Sequence, residues 1–220
     1  MVKMTLDIVR DYLQDPENRR RRSDGAALDR PLALSALSCD TAVSMTVELP
    51  ARHSMPLVVR EVRPDDAEAI LSILNPIIES GAYSALDTPF TVEAERGFIH
   101  NFPQRGVFHV AEESGERRVV GFQTVEPFAA YTRAFDHVGV VATFVEMACR
   151  GQGVGRRLAE ATFQEARRRG YEKLFTFVRA DNPDALRFYD GLGFRVVGTA
   201  ARQAKIRGKY VDEVIIEKFL

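Results

Sequence analysis

Arg150-Gly151-Gln152-Gly153-Val154-Gly155-Arg156-Arg157 is the stretch around which the chain is organised. His137 to Val145 before it is rich in β-branched residues, and Val154 to Arg169 after it reads as a helix. A strand that ends in a glycine-dense turn and opens a helix is an anion site. Glycine lets the backbone reach φ > 0 and lets an anion approach closely. The first N–H groups of the helix point at that anion, and the helix dipole favours negative charge there. The dinucleotide fingerprint G-x-G-x-x-G fails at position 156, which is Arg. The P-loop fails as well, because Gly155 is followed by Arg156-Arg157 and not by Lys-Ser/Thr. What remains is Arg-x-x-Gly-x-Gly, met by Arg150, Gly153 and Gly155. The bland alternative is a helix start that needs glycine only for a tight turn.

Size and composition narrow the setting. The 220 residues fit one domain with an appendage, and 45% hydrophobic with 28% charged residues is a globular balance. A net charge of −1 gives no global field for nucleic acid or anionic membrane. Two cysteines, Cys39 and Cys149, make neither a disulfide framework nor a zinc site, so no metal is expected and a cytoplasmic setting is. No run reaches the roughly 18 apolar residues of a membrane span.

Residues 1–56 carry Pro16, the run Arg19–Arg22, Pro31 and Pro50 without sustained periodicity, and read as a poorly ordered extension with one short helix over Thr5–Leu13. Arg19–Arg22 lacks aromatic or helical support for a binding face and reads as a solvated charge run. Order begins at Leu57, and residues 57–220 form the domain. Val58 to Val62 is a first strand. Ala67, Ile70, Leu71, Leu74, Ile77 and Ile78 mark a helix that Pro76 is expected to kink or restart, with Asp65 or Asp66 as its N-cap. A second helix covers about Val92 to Phe102. Gly106–Glu112 and Val119–Val125 pair through the turn at Ser114-Gly115-Glu116. Leu174–Val178 is continuously apolar, which suggests burial on both faces. Asn182-Pro183 starts a helix as N-cap and first helical residue. Phe194–Val197 begins another strand, and Ala200–Ile206 with Tyr210–Phe219 form a closing hairpin. The order is β-α-α-β-β-β-α-β-α-β-β, a mixed α/β domain with a mainly antiparallel central sheet flanked by helices.

A second block, Asn182-x-x-Ala185-x-x-x-Tyr189-x-x-x-Gly193-Phe194, follows the glycine motif at one strand's distance. The two blocks together resemble the GNAT superfamily of acyl-CoA N-acyltransferases. Asn75-Pro76, Val196-Val197-Gly198 and Ile206 to Asp212 make the chain most similar to the phosphinothricin acetyltransferase-like branch. The resemblance covers about residues 57–220 and implies a GNAT-like fold splayed at the acyl-CoA site. It implies acetyl-CoA as cosubstrate and a homodimer as the form common in the family. It places the pyrophosphate on the backbone of Gly151, Gln152, Gly153, Val154, Gly155 and Arg156, with Arg150 and Arg156 adding charge. It implies a bulge in the strand before the motif and a pantetheine arm beside Phe144 and Val145, the Val145 N–H acting as a one-donor oxyanion hole. Asn182 and Ala185 would contact the cofactor arm, and Tyr189 would protonate the leaving thiolate. For these residues an N-cap, a solvated helix end and an aromatic packed on Phe194 are the structural alternatives.

The general base is less marked. Relatives in that branch carry a glutamate in the strand before the motif, where this chain has Val138-Gly139-Val140-Val141-Ala142. Glu79, Glu126 and His137 are the candidates, and Glu79 leads because it adjoins the loop expected to line the acceptor pocket. Tyr83, Phe90, Phe128 and Tyr131 would line that pocket. An acyl-cysteine route through Cys149 is rejected for want of a paired histidine. The reading is direct acetyl transfer to a primary amine of a small, amino-acid-like molecule, with no nucleic-acid or membrane partner. Peptide acetylation and a non-catalytic acyl-CoA-binding domain are the alternatives.

Overall fold

The computed structural model describes residues 57–115 and 117–220; the extension assigned to residues 1–56 lies outside the described residues. Among the described residues seven strands and four α-helices follow in the expected order: β1 (Leu57–Glu61), α1 (Ala67–Ser80), α2 (Val92–His100), β2 (Val107–Glu113), β3 (Arg118–Pro127), β4 (Val138–Val145), α3 (Val154–Arg168), β5 (Lys173–Arg179), α4 (Pro183–Asp190), β6 (Arg195–Ile206) and β7 (Lys209–Phe219). One sheet holds them in the order β1-β2-β3-β4-β5-β7-β6. Every pairing is antiparallel except β4 with β5.

Helices cover both faces. Ile70, Leu74, Ile77 and Ile78 of α1 pack with Ile99 of α2 on Phe108, Val110 and Phe122. On the other face Ala159, Phe163 and Ala166 of α3 and Tyr189 of α4 pack on Val125, Val141, Leu174 and Val178. Val154 and Leu158 at the start of α3 close the far end of that layer against Val120 and Cys149.

Local chemistry explains most element ends and corrects some expectations. Thr91 caps α2 by accepting from the Ala94 N–H, and α2 ends at His100, short of Phe102. Asn182 caps α4 with Pro183 at the first position. Asp66 precedes α1 but makes no side-chain cap bond to it. Its carboxylate instead accepts from the Arg63 N–H at 2.7 Å and takes a bidentate pair from Arg60 at 2.8 Å. Pro76 neither breaks nor restarts α1, which is continuous from Ala67 to Ser80. The strand expected to begin at Phe194 and the hairpin arm expected over Ala200–Ile206 are one continuous strand, β6, with irregularities at Val196/Gly198 and Ala200/Ala204. β5 is buried on one face only: Phe175 and Phe177, on the side away from α3, are half-buried.

Candidate active site

The short β4–β5 pairing creates the site. Only Val138, Gly139 and Val140 pair with Lys173, Leu174 and Phe175, although both strands continue. From Val141 to Val145, β4 pairs with β3 alone. The ladder fixes where its backbone points. The Phe128 N–H donates to the Val138 carbonyl and the Glu146 N–H to the Val120 carbonyl. In an antiparallel ladder hydrogen-bonded positions alternate. Even-numbered residues of β4 therefore face β3, and the N–H groups of Val141, Thr143 and Val145 face the gap toward β5. The bulge expected in β4 is not there: register with β3 is unbroken from Gly139 to Val145, and the register shift near this end lies between β2 and β3, where Ala111 and Glu112 pair with Gly121 and Val119, and Val120 of β3 is the extra residue. The strands part because pairing stops.

α3 starts at the open end of this gap. Gly151 and Gly153 have φ of 73° and 86°, a region that L side chains rarely adopt. A Cβ added to either would meet no atom within 4 Å, so the space above the turn is open. No side chain caps α3, and its first intrahelical bond runs from the Arg157 N–H to the Gly153 carbonyl. The N–H groups of Val154, Gly155 and Arg156 thus point out of the helix end. Gln152 braces the turn through the Ala148 carbonyl at 2.9 Å, and Arg156 is exposed beside it. A positive, uncapped helix end beside a strand edge with free amide direction fits a pyrophosphate joined to an extended amide arm.

Arg150 does not lie over that turn. Its Nε donates to the Val145 carbonyl at 3.3 Å, and its guanidinium stacks on the Tyr83 ring at 4.3 Å. Asn182 accepts from the Ala185 N–H at 3.1 Å and donates to the Tyr83 carbonyl at 3.3 Å. Arg179, 7% exposed at the end of β5, holds the same loop: it donates to the carbonyls of Gly81 at 2.7 Å and Ser84 at 3.1 Å and pairs bidentately with Asp181. Sequence reading missed Arg179, since a lone arginine closing an apolar strand reads as a solvated end.

Tyr189 is buried on α4, edge-on to Phe188 and Phe194, with its Oη 3.0 Å from Thr143 Oγ1. Thr143 is three residues beyond the last β4–β5 pair, so the phenol reaches the parted stretch. Burial pushes its pKa up to about 12, against a lowering from Thr143, and it stays protonated at neutral pH. Phe144 points to the opposite face, stacked on Phe122 at 5.0 Å.

The three base candidates are placed very differently. Glu79 is exposed on the last turn of α1, where its carbonyl accepts from Arg207. His137 is exposed at the closed end of the β4–β5 pair, its carbonyl taken by the N–H groups of Glu172 and Lys173. Glu126 is 3% exposed on β3, opposite Val140, the last β4 residue paired with β5. It shares a face with Thr124 and Phe122, and burial raises its carboxyl from 4.5 to about 7. On that face a run of edge-to-face aromatics, Phe135, Phe128, Phe175 and Phe177, crosses from the loop after β3 to β5. Asn75 pins the Phe90 backbone with two bonds of 3.0 Å. Of the aromatics expected at the acceptor, Tyr131 alone lines the open depression of about 390 Å³ between Pro103–Arg105 and Pro127–Asp136. Cys149 is buried, donates to Glu146 at 3.4 Å and has its pKa raised by burial, the reverse of an activated thiolate. Among the described residues no cluster of His, Cys, Asp or Glu is placed to hold a metal, and no helix is long and apolar enough to cross a membrane.

A strand edge with free pairing direction, an uncapped helix end and a buried phenol near the parted strands are features that an acyl-CoA transferase would need. The family model described as Acetyltransferase (GNAT) family matches residues 70–194, more than half of the chain, and the chain belongs to that family. It is accordingly an acyl-CoA N-acyltransferase with acetyl-CoA as cosubstrate. A protein of Bacillus subtilis (strain 168), provisionally named a phosphinothricin acetyltransferase, is 27% identical over 74% of this chain and 99% of its own. The structure of a ribosomal-protein-alanine N-acetyltransferase from Brucella melitensis is 26% identical, covering 74% of this chain and 99% of that one, with a TM-score of 0.69. That of a phosphinothricin acetyltransferase from Sinorhizobium meliloti in complex with AcCoA shares the fold at 16% identity and a TM-score of 0.69, covering 74% and 88%.

Proposed function

We propose that the chain transfers the acetyl group of acetyl-CoA directly to the primary amine of a small acceptor, with Glu126 as general base and Tyr189 as the proton donor to sulfur. The observation that carries this reading is the parting of β4 from β5 after Val140 and Phe175, with Glu126 on one face of the sheet there and Tyr189 on the other. Acetyl-CoA supplies the thioester carbonyl and the thiol leaving group. The N–H groups of Val154 to Arg156 hold its pyrophosphate, and the Val145 N–H, aimed into the gap, donates to the carbonyl oxygen as negative charge develops there. The amine forms the C–N bond as the C–S bond breaks. Glu126 takes the amine proton; a carboxyl at about 7 is half-ionised at neutral pH and suited to that task. Tyr189 gives its proton, or a strong hydrogen bond, to the departing sulfur. Its burial keeps it protonated across the working range.

Glu126 is preferred to Glu79 because it alone of the three candidates is buried beside the gap. The acceptor lies on the face of Phe128, Phe175 and Phe177, beneath the loop fixed by Arg179 and Asn182. The relative named for phosphinothricin supports an amino-acid-like amine as first choice. The test is thiol release from acetyl-CoA against amino acids, phosphinothricin-like compounds, polyamines and short peptides. Amine-dependent release with a small-molecule preference is expected. Release with peptides alone, or acetyl-CoA binding without turnover on any amine, would overturn the assignment.

A further inference from the structure

Gln123 is the buried group that neither the acyl transfer nor the packing accounts for. It is 0% exposed on β3, its Nε2 donates to Thr143 Oγ1 at 2.8 Å, and its Oε1 has no hydrogen-bond partner among the described residues. A buried amide with one end unsatisfied is less stable than an apolar side chain of similar volume. Thr143 is equally out of place. It stands in the row of Val141 and Val145, both packed in apolar clusters on the face of α3 and α4. These two polar residues touch each other, and Thr143 touches Tyr189 at 3.0 Å.

Hydrogen-bond counting gives the contacts a direction. A threonine hydroxyl has one proton and two lone pairs. Gln123 Nε2 donates into one lone pair, and Tyr189 Oη is the one acceptor that the described residues offer the Thr143 proton, so a fully satisfied hydroxyl donates to Tyr189. The proton of Tyr189 is then turned away from Thr143, toward the stretch where β4 and β5 have parted. The reverse order would have Tyr189 donate to Thr143 and present only lone pairs to the gap, where a departing thiolate needs a donor.

We propose that Gln123 and Thr143 are positioning residues that aim the Tyr189 hydroxyl proton into the β4–β5 gap. The inference rests on the reading of Tyr189 as the donor to sulfur. As the C–S bond breaks, its electron pair stays on sulfur and the Tyr189 proton moves there. The Thr143 hydrogen bond stabilises the phenolate left behind. The proton released by the amine, exchanged through solvent, restores the phenol and closes the balance.

The experiment measures kcat and KM by thiol release, with the preferred amine saturating, for wild type, Tyr189→Phe, Thr143→Val, Thr143→Ser, Gln123→Met and the double variant Thr143→Val/Tyr189→Phe. Thermal unfolding of each variant checks the fold. Tyr189→Phe should lower kcat about 100-fold. Thr143→Val should lower kcat about 10-fold with the KM for acetyl-CoA within about 2-fold, and Thr143→Ser should restore it. In the Tyr189→Phe background Thr143→Val should cost nothing more, because the proton it aims is gone. Gln123→Met keeps the volume, removes the donor and should follow Thr143→Val, which it replaces if that variant does not fold. Wild-type kcat in Thr143→Val, or the same 10-fold loss repeated without the phenol, overturns the proposal. Wild-type kcat in Tyr189→Phe overturns the assignment of Tyr189 itself, a different failure from one confined to Thr143 and Gln123.

Discussion

Glu126→Gln should lower activity sharply and at the same time stabilise the protein, by an amount that grows as pH rises from about 4.5 to about 7 and is constant above it. The sign follows from the folded-state carboxyl, held at about 7 by burial against an ordinary 4.5. Below 4.5 the group is neutral in both folded and unfolded chains and no difference arises. Between 4.5 and 7 it ionises on unfolding and stays neutral when folded, so each rise in pH favours the unfolded chain. Above 7 the disadvantage is complete. At about 1.36 kcal/mol per unit it amounts to roughly 3 kcal/mol. Glutamine mimics the neutral acid and does not titrate. Urea unfolding of wild type and variant should give like stabilities near pH 4.5 and diverge by about 3 kcal/mol at pH 8.5, the variant being the more stable. Wild-type kcat/KM should rise with pH through about 7, and the variant should lose about 100-fold or more in kcat. Glu95 on α2, also raised to about 7 by burial, is the control: Glu95→Gln should repeat the stability pattern and leave the pH–rate profile alone. A stability difference that does not change between pH 4.5 and 8.5 refutes the burial argument. A Glu126→Gln enzyme that keeps kcat refutes the assignment of the base.

Gly155→Ala puts a Cβ 2.9 Å from Cε2 and 3.0 Å from Cζ of Phe188, whose ring supports Tyr189 edge-on at 5.1 Å. Overpacking of that kind should cost about 1–2 kcal/mol in urea unfolding and lower kcat, and Phe188→Leu should recover part of both. Arg179→Ala leaves the Gly81 and Ser84 carbonyls without their donor; a loss of about 2 kcal/mol is expected, with the KM for the amine rising more than that for acetyl-CoA. Equal change in the two KM values would mean that Arg179 does not act through the loop. Arg150→Ala removes the cation stacked on Tyr83 and should raise the KM for acetyl-CoA several-fold, less so at high salt, where a charge contact with phosphate is already screened.

The order of elements was legible because their ends carry strong local chemistry. Gly153 starts α3 with a positive φ that few other residues accept, and Asn182-Pro183 caps α4 by a mechanism written in two residues. The site was legible where backbone does the work, at the glycine turn, and much less where burial does. Glu126 next to Pro127 reads as the fraying end of a strand, and its surroundings come from residues distant in sequence, Phe128 and Phe175 among them. Gln123 and Thr124 are adjacent on β3 and so point to opposite faces of the sheet. They are buried because helices cover both faces of β3, so each polar residue on that strand is a departure that asks for a reason. One signal was available: with helices before β2 and after β4, a central strand has no solvent face.

The same reasoning explains why three arginine and asparagine side chains gather at one loop. Backbone groups that leave a ladder cannot stay buried without partners. Where β4 and β5 part, the Val145 carbonyl is answered by Arg150; in the loop after α1, the carbonyls of Gly81, Tyr83 and Ser84 are answered by Arg179 and Asn182. The loop after α1 is thereby tied to β5 through Arg179 and Asn182 and to β4 through Arg150 stacked on Tyr83. On the proposed function, an amide arm competing for the Val145 carbonyl would meet the Arg150 Nε there, and Arg150, stacked on Tyr83, is the side chain that joins this strand edge to the loop after α1.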